Sequence, residues 1–477
     1  MKTMKKLILI ALLIGTTISC EDFEDWNVDT KNPAEVPASF LMTSAQRTIF
    51  IRMSSSSVNY NIFKQLAQHW TPTTYTDEAN YDMRQRDLSG TFFIYLYRDV
   101  LNDLQEAKRL TAENESLNAA VKANQLAVIE LLEVYTWHVL VDTFGDVPYT
   151  EALQGIGNLS PKYDDDAGIY TDLFARIDGA LANLTDAASF GSADLIYSGN
   201  TSKWKKFGNS LKLRMALRVS DYDNGMATSM ASQAVAGGVF ESQSDNASFP
   251  FEDGPPNNNP MWGSLVQSGR SDIIVANTFV DVISPLNDPR ASVFMDDNIV
   301  PYTGGPYGAN NPFANYTHAG APFHQADLEG IILSYEEVEF LQAEAAARGL
   351  ISGDAEMHYN NAITASIAYW TGDDSTAAAY IAQDAVKYDA ANWKKSIGEQ
   401  KWIALYTKGF EAWSSWRMLD YPMMNTADVS GLPVPRRYLY GNDDADINGV
   451  NYEAASAAMG GDALDSRVFW DITGQGN

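Results

Sequence analysis

Helical periodicity recurs along most of this chain and constrains its fold more than any other feature. It is clearest at 119–143, where Leu126, Ile129, Leu132, Tyr135 and Val139 follow at three- and four-residue steps. That spacing places apolar side chains on one face of a helix. Gly145 and Pro148 are positioned to end it. Similar patterning begins near Ser39 and recurs at 57–69, 91–112, 167–184, 203–221, 228–236, 272–283, 334–348, 354–370, 378–387 and 396–416. The 334–348 stretch opens with Ser334 and carries Glu337 three residues on, the spacing of a capping box. Gly349 is placed to close it. Its many alanines allow close packing, and tryptophan and tyrosine rings fill wider gaps. The pattern predicts a mostly α protein of stacked helical hairpins with tetratricopeptide-like character, although no repeat keeps a fixed period.

Two long stretches break the pattern. Residues 246–333 are rich in Pro, Gly and Asn, and residues 417–477 mix turns, short apolar runs and one helical segment near 452–459. Both exceed ordinary connections. Irregular regions on a helical scaffold are where recognition residues concentrate.

The chain opens on Lys2, Lys5 and Lys6, an apolar run from Leu7 to Ile14, and Thr17-Ile18-Ser19-Cys20. A basic tip, a short apolar core and small residues before a cut site describe an export signal, here residues 1–19. The run is too short to span a bilayer as a mature helix. Cys20 is the single cysteine of 477 residues. Its place just after the run points to lipid attachment at its sulfur, which leaves no disulfide or thiolate chemistry. Residues 20–38 then read as an acidic tether, with Glu21, Asp22, Glu24 and Asp25 crowded at its tip and Pro33 and Pro37 opposing a helix. The net charge of −28 becomes more negative once the leader lysines are removed. Such a surface repels nucleic acid backbones.

The motifs, in order, resemble those of the SusD/RagB family of surface lipoproteins. They include Asn27-Val28-Asp29-Thr30-Lys31-Asn32-Pro33, Thr143-Phe144-Gly145-Asp146-Val147-Pro148-Tyr149 and Pro161-Lys162-Tyr163-Asp164. Lys203-Trp204-Lys205-Lys206-Phe207, Leu213 to Arg218 and Asn287-Asp288-Pro289-Arg290 follow. Ser334 to Phe340, Gln400 to Tyr406, Glu411-Ala412-Trp413, Arg417 and Pro435-Arg436-Arg437 complete the set. Where the family has a second arginine after the last tryptophan segment, this chain has Met418. The resemblance implies a SusD-like fold over 39–477, with a helical scaffold at 39–245 and 334–416 and ligand-facing irregular regions at 246–333 and 417–477. It also implies a non-enzymatic protein, lipid-anchored on the outer face of the outer membrane. Its role would be to bind oligosaccharide or polysaccharide and to work with a SusC-like TonB-dependent transporter. A RagB-like peptide binder is the alternative.

Other chemistries find little support in the residues. Glu336, Glu339 and Glu344 lie on one predicted helix, but five-residue spacing makes Glu339 and Glu344 diverge, unlike the facing pair of a glycosidase. Arg214 and Arg218, four apart, are expected to pair with carboxylates. His69, His138, His318, His324 and His358 form no dense metal motif. No cofactor is expected beyond a structural calcium at Asp164-Asp165-Asp166 or Asp443-Asp444, which lack the spacing of a calcium loop. Gly304-Gly305-Pro306-Tyr307-Gly308 lacks a nucleotide loop's lysine and reads as an exposed turn presenting rings. Ser54-Ser55-Ser56-Ser57 reads as a flexible or capping segment.

A sugar offers an apolar face of C–H groups, suited to an aromatic ring, and a rim of hydroxyls, suited to polar side chains. Two stretches supply both, His69 to Arg84 and Asn257 to Trp262 continued by Tyr302, Tyr307 and Phe313. Trp70, Tyr75, Tyr81, Trp262 and Tyr302 are the stacking candidates. Asp77, Asn80 and Arg84 are the polar ones. Trp402, Trp413 and Trp416 are expected in the core.

Overall fold

The computed structural model describes residues 36–472, so the leader, Cys20 and the tether up to residue 35 lie outside the described residues. The predicted periodicity at 119–143 forms the helix Ala119–Phe144, capped by the Asn118 side chain on Val121 N. It stops at Gly145, whose φ of +83° suits a residue without a side chain. This helix packs against Asp166–Asn183, and the same hairpin arrangement recurs in Thr201–Arg218 with Asn224–Gly237 and in Tyr335–Ala347 with Ala355–Thr371. Trp393–Ala404 pairs with Gly409–Leu419, and Ala38–Ser54 lies on Asn102–Glu113. These hairpins share one hydrophobic cluster reaching from Met42 to Trp470, and Trp402, Trp413 and Trp416 are all buried in it. Among the described residues no helix is long and apolar enough to cross a membrane.

Buried ion pairs join the hairpins. Arg214 pairs with Glu337 at 2.6 Å, and Arg218 reaches Asp142 at 2.9 Å and Glu411 at 2.5 Å. The Met418 sulfur lies 3.1 Å from Arg218 Nη1. Arg290 closes on Asp288 at 2.6 Å, so the Asn287–Arg290 motif is a self-paired turn. Glu336, Glu339 and Glu344 are drawn to Lys408, His358 and Arg348 respectively, each in a different direction.

Several expected boundaries are corrected. Of the predicted helix 57–69 only Phe63–Leu66 is α-helical. Gln68 turns left-handed at φ +51° and sends the chain into the strand Trp70–Pro72. The predicted 272–283 helix begins as the strand Ile273–Val275, because its β-branched run pairs antiparallel with Trp70–Pro72. Its helical part is Asn277–Ile283. The predicted 396–416 helix breaks before Gly409, where a Cβ would meet Lys64 N at 2.5 Å. The capping box at Ser334 does not form. The Glu337 side chain is held by Arg214, and the Ser334 hydroxyl accepts from Lys408 Nζ at 2.8 Å. Tertiary partners therefore outcompete the local cap. Gly349 does close that helix at φ +74°, with Leu350 N bonding Ala345 O. The turn at Gly304–Gly308 is not an exposed display of rings, since Tyr307 is buried and its ring centroid lies 6.0 Å from that of Tyr81. A Cβ on Gly304 would lie 2.4 Å from Asn277 Cα, so the close approach itself requires glycine.

Candidate functional site

The strand pair Trp70–Pro72 and Ile273–Val275 brings together the two stretches singled out for sugar binding. Trp70 stands opposite Val275 and Pro72 opposite Ile273. Thr73 extends the tie, its N–H donating to Asp272 O at 2.8 Å and its hydroxyl to Ser271 O at 2.7 Å. Just past this tie lies a cleft of about 470 Å³, walled by Ser56–Asn59, Pro72, Thr74, Tyr75, Gly263, Ser264, Arg270, Asp272 and Ile273. Clefts of about 300–1,000 Å³ are the usual size for small-ligand sites.

Tyr75 stands in this cleft 62 % exposed, at φ +54°. A bulky side chain at positive φ is strained by about 1–3 kcal/mol and persists only where its surroundings impose it. Gln68, Tyr81 and Asp87 in the same stretch share positive φ values. At Gln68 long-range bonds hold the turn: it donates to Asn425 O at 2.6 Å and accepts from Thr278 Oγ1 at 2.6 Å. The Arg270 and Arg86 guanidinium carbons lie 5.5 and 5.9 Å from the Tyr75 ring centroid, within cation–π reach. Each is neutralised, Arg270 by Asp272 and Arg86 by Glu78, both at 2.5 Å. Behind the wall, burial pushes the Lys64 ammonium down to about 7, and its Nζ donates to Ser54 O and Ser55 O at 2.8 Å each.

Of the stacking candidates, Tyr75 lines the cleft. Trp262 is half-exposed and immediately precedes Gly263 on the cleft wall. Tyr302 is half-exposed, lies outside the lining and donates its hydroxyl to Asp297 at 2.8 Å. Burial pushes that phenol up to about 12, and Asp297 adds to the shift. Two ring assignments are corrected. Trp70 is 2 % exposed, donates Nε1–H to the Tyr406 hydroxyl at 2.5 Å and packs edge-on to Tyr406 and Phe323. Tyr81 is equally buried and its hydroxyl accepts from Gln68. Neither ring face is open to a sugar.

The polar candidates hold the loop. Asn80 donates to Thr76 O and Gly308 O and accepts from Val429 N and Ser430 N. Arg84 is exposed but bonds Tyr440 O at 3.0 Å and Asp462 at 2.7 Å. The Asp77 carbonyl accepts from Asn80 N and Asp82 N to form the turn. Ser56, Asn59, Gln65, Arg86 and Arg270 line the cleft and were not among the sequence candidates. Gln65 sits in a segment read as continuous helix, and the serine run read as a flexible or capping segment.

His69, His138 and His358 lie in separate surroundings, while His318 and His324 line one small cavity. Buried His69 is pushed down to about 3 by desolvation and its Nε2 meets Trp402 O, while His138 Nδ1 bonds the Tyr170 hydroxyl. His318 stacks on Phe313 with centroids 3.7 Å apart. Of the acidic runs, Asp165 and Asp166 meet Asp146, their carboxylate oxygens lying within 4.8 Å of one another. Each already accepts a backbone N–H, from Gly168, Phe469 and Asp166 respectively, so the cluster anchors a helix start. Asp164 turns away to Thr150, and Asp444 accepts from Gly441 N.

Burial and the neighbouring Asp146 raise the Asp166 carboxyl to about 7, and burial raises Asp146 to about 6. A folded-state pKa above the unfolded value of about 3.9 favours the fold at low pH. That stability is fully present below about pH 4 and is lost as pH rises through 6 to 7. Asp166→Asn is expected to flatten this loss, on the order of 2–4 kcal/mol between pH 4 and pH 8. Urea unfolding at a series of pH values checks it, and an unchanged slope would refute the assignment.

A family model described as SusD-like, starch-binding associating with outer membrane, matches residues 30–441. Among solved structures, a chitin-binding protein aligns at 25 % identity over 91 % of this chain and 100 % of its own, with a TM-score of 0.79. A chitin-binding SusD homolog from Flavobacterium johnsoniae aligns at 24 % identity over 91 % of this chain and 100 % of its own, with a TM-score of 0.78. A Bacteroidetes SusD-like protein aligns at 22 % identity over 92 % of this chain and 100 % of its own, with a TM-score of 0.81. No curated protein sequence gives a significant match. Members of this family are binding proteins rather than enzymes. With its hairpin scaffold and a match spanning residues 30–441, the chain belongs to the SusD-like family.

Proposed function

We propose that this protein captures oligosaccharide segments at the cell surface, held there by lipid on Cys20, and passes them to a SusC-like TonB-dependent transporter. The observation that carries the glycan part is Tyr75, a strained and exposed ring in a cleft bordered by hydroxyl and amide side chains. Trp262 is half-exposed and precedes Gly263 of the lining in sequence, but it does not itself line the cleft. Two solved relatives are described as chitin-binding, so chito-oligosaccharides are the first ligands to test. Calorimetric titration of the detergent-purified full chain with malto-, cello-, manno- and chitohexaose tests the reading. Saturable binding of one of these with no product released over hours is expected. Binding of mixed peptides in place of every glycan would move the protein to the peptide-binding role.

The transporter part has separate support. Ile156, Leu159, Ile447 and Val450 are each more than two-thirds exposed. Asn448 and Asn451 donate to Pro161 O and Ser160 O, joining the two segments that bear these residues. Exposed Asp443, Asp446 and Glu453 lie on the same C-terminal segment. An apolar centre with an acidic rim suits a protein face with basic edges better than an anionic lipid surface. The double substitution Ile447→Asp and Val450→Asp is expected to weaken copurification with the transporter by about tenfold or more. Glycan affinity should not change. Undiminished copurification would exclude this face.

A further inference from the structure

Two polar atoms lining the Tyr75 cleft lack a hydrogen-bond partner among the described residues. Ser56 and Gln65 are 8 % and 7 % exposed, and both line the cleft. Neither Ser56 Oγ nor Gln65 Oε1 has a hydrogen-bond partner among the described residues. An unpaired buried acceptor is costly, and native proteins pair nearly all of them. Two together in one cleft, beneath an exposed ring, point to a partner that arrives from outside.

The surroundings hold both groups in place. Gln65 belongs to the short helix Phe63–Leu66, whose first N–H is capped by Asn61 Oδ1 at 3.0 Å. The preceding Lys64 grips Ser54 O and Ser55 O, and Ser57 N donates to Ser55 Oγ at 3.0 Å. Ser56 is therefore bracketed by ordered neighbours on both sides. Such preorganisation lowers the ordering cost of binding.

We propose that Gln65 and Ser56 form the specificity-determining floor of the cleft and read a pair of adjacent hydroxyls on a neutral sugar whose apolar face lies on Tyr75, a reading that rests on the glycan-binding role proposed above. A primary amide sets an acceptor beside its N–H donors. That pair complements two neighbouring hydroxyls, one donating and one accepting. The serine hydroxyl takes either role with a third group. Charge selects against acidic sugars. Arg86 and Arg270 are each already matched by a carboxylate, and the Lys64 ammonium is turned onto backbone carbonyls. Neither arginine is an unpaired cation for a uronate or a sulfate, and the Lys64 donors are taken up by backbone carbonyls.

Gln65→Met keeps the length of the side chain and removes its amide. With the glycan found among malto-, cello-, manno- and chitohexaose, Gln65→Met is expected to weaken binding about fivefold to tenfold. Ser56→Ala should have a similar effect. Because the substitution also removes an unpaired buried acceptor, the ligand-free Gln65→Met protein should melt at the same temperature or about 2–4 °C higher. A purely structural glutamine would instead lower the melting temperature. An oligogalacturonate hexamer should bind at least tenfold more weakly than the neutral ligand.

Unchanged affinity in both variants, the result expected if a resident water bonds these atoms, would overturn the proposal while leaving glycan binding intact. Preference for the oligogalacturonate would also overturn it. Failure of the unsubstituted protein to bind any of the sugars would remove the glycan role and this floor together.

Discussion

Glu411→Ala is expected to leave this protein unfolded or severely destabilised, by on the order of 3–5 kcal/mol. Glu411 lies on Gly409–Leu419 and is buried among three cations: Arg218 at 2.5 Å, Arg214 at 3.4 Å and Lys401 at 3.5 Å. Burial alone would raise its carboxyl. Arg218, Arg214 and Lys401 together hold it well below the usual carboxylate range. Removing it strands buried positive charge, and the cost of that exceeds the worth of the pair itself. Arg218 would keep Asp142, and Arg214 would keep Glu337, but Lys401 Nζ has no hydrogen-bond partner among the described residues. The sign with pH follows. A depressed folded-state pKa contributes stability above the unfolded value of about 4.3, lost as pH falls through the folded one. Urea unfolding at pH 7 measures the effect, and a Glu411→Ala midpoint equal to that of the unsubstituted protein would refute it.

Tyr75→Ala is expected to reduce glycan affinity about 10- to 100-fold, the worth of a well-covered aromatic face. Its effect on stability should be small, since the ring is mostly exposed. Tyr75→Gly sharpens the test. Glycine adopts φ +54° without strain, so this variant should lose binding while melting at the same temperature or higher. Tyr75→Phe should retain most of the affinity, because stacking uses the ring and not the hydroxyl. Calorimetry on the three variants decides the matter, and wild-type affinity in Tyr75→Ala would remove this ring from the site.

The scaffold was legible because its signal is local and periodic. Ala119–Phe144 is stated by its own apolar spacing, and Gly145 and Gly349 mark their helix ends by residue type alone. Where reading failed, a distant partner had taken over. Glu337 looked like part of a cap until Arg214 claimed it. Ile273–Val275 looked helical until Trp70–Pro72 offered a ladder. The site was legible only in outline. Trp70 and Tyr75 are both aromatic residues in one polar stretch, yet Trp70 finds Tyr406 while a left-handed backbone turns Tyr75 outward. No residue-type pattern distinguishes those two fates. Gln65 was hidden for the opposite reason, since a polar residue in a helical stretch resembles a solvent face.

The ladder joining Trp70–Pro72 to Ile273–Val275 has an evolutionary corollary. It staples chain segments some two hundred positions apart into one rigid jaw. Neither lip can be lengthened at the staple without shifting the other. Retuning for a new cargo is thereby confined to the tips beyond it, around 56–59, 74–75 and 263–270, where insertions leave the jaw's registration untouched.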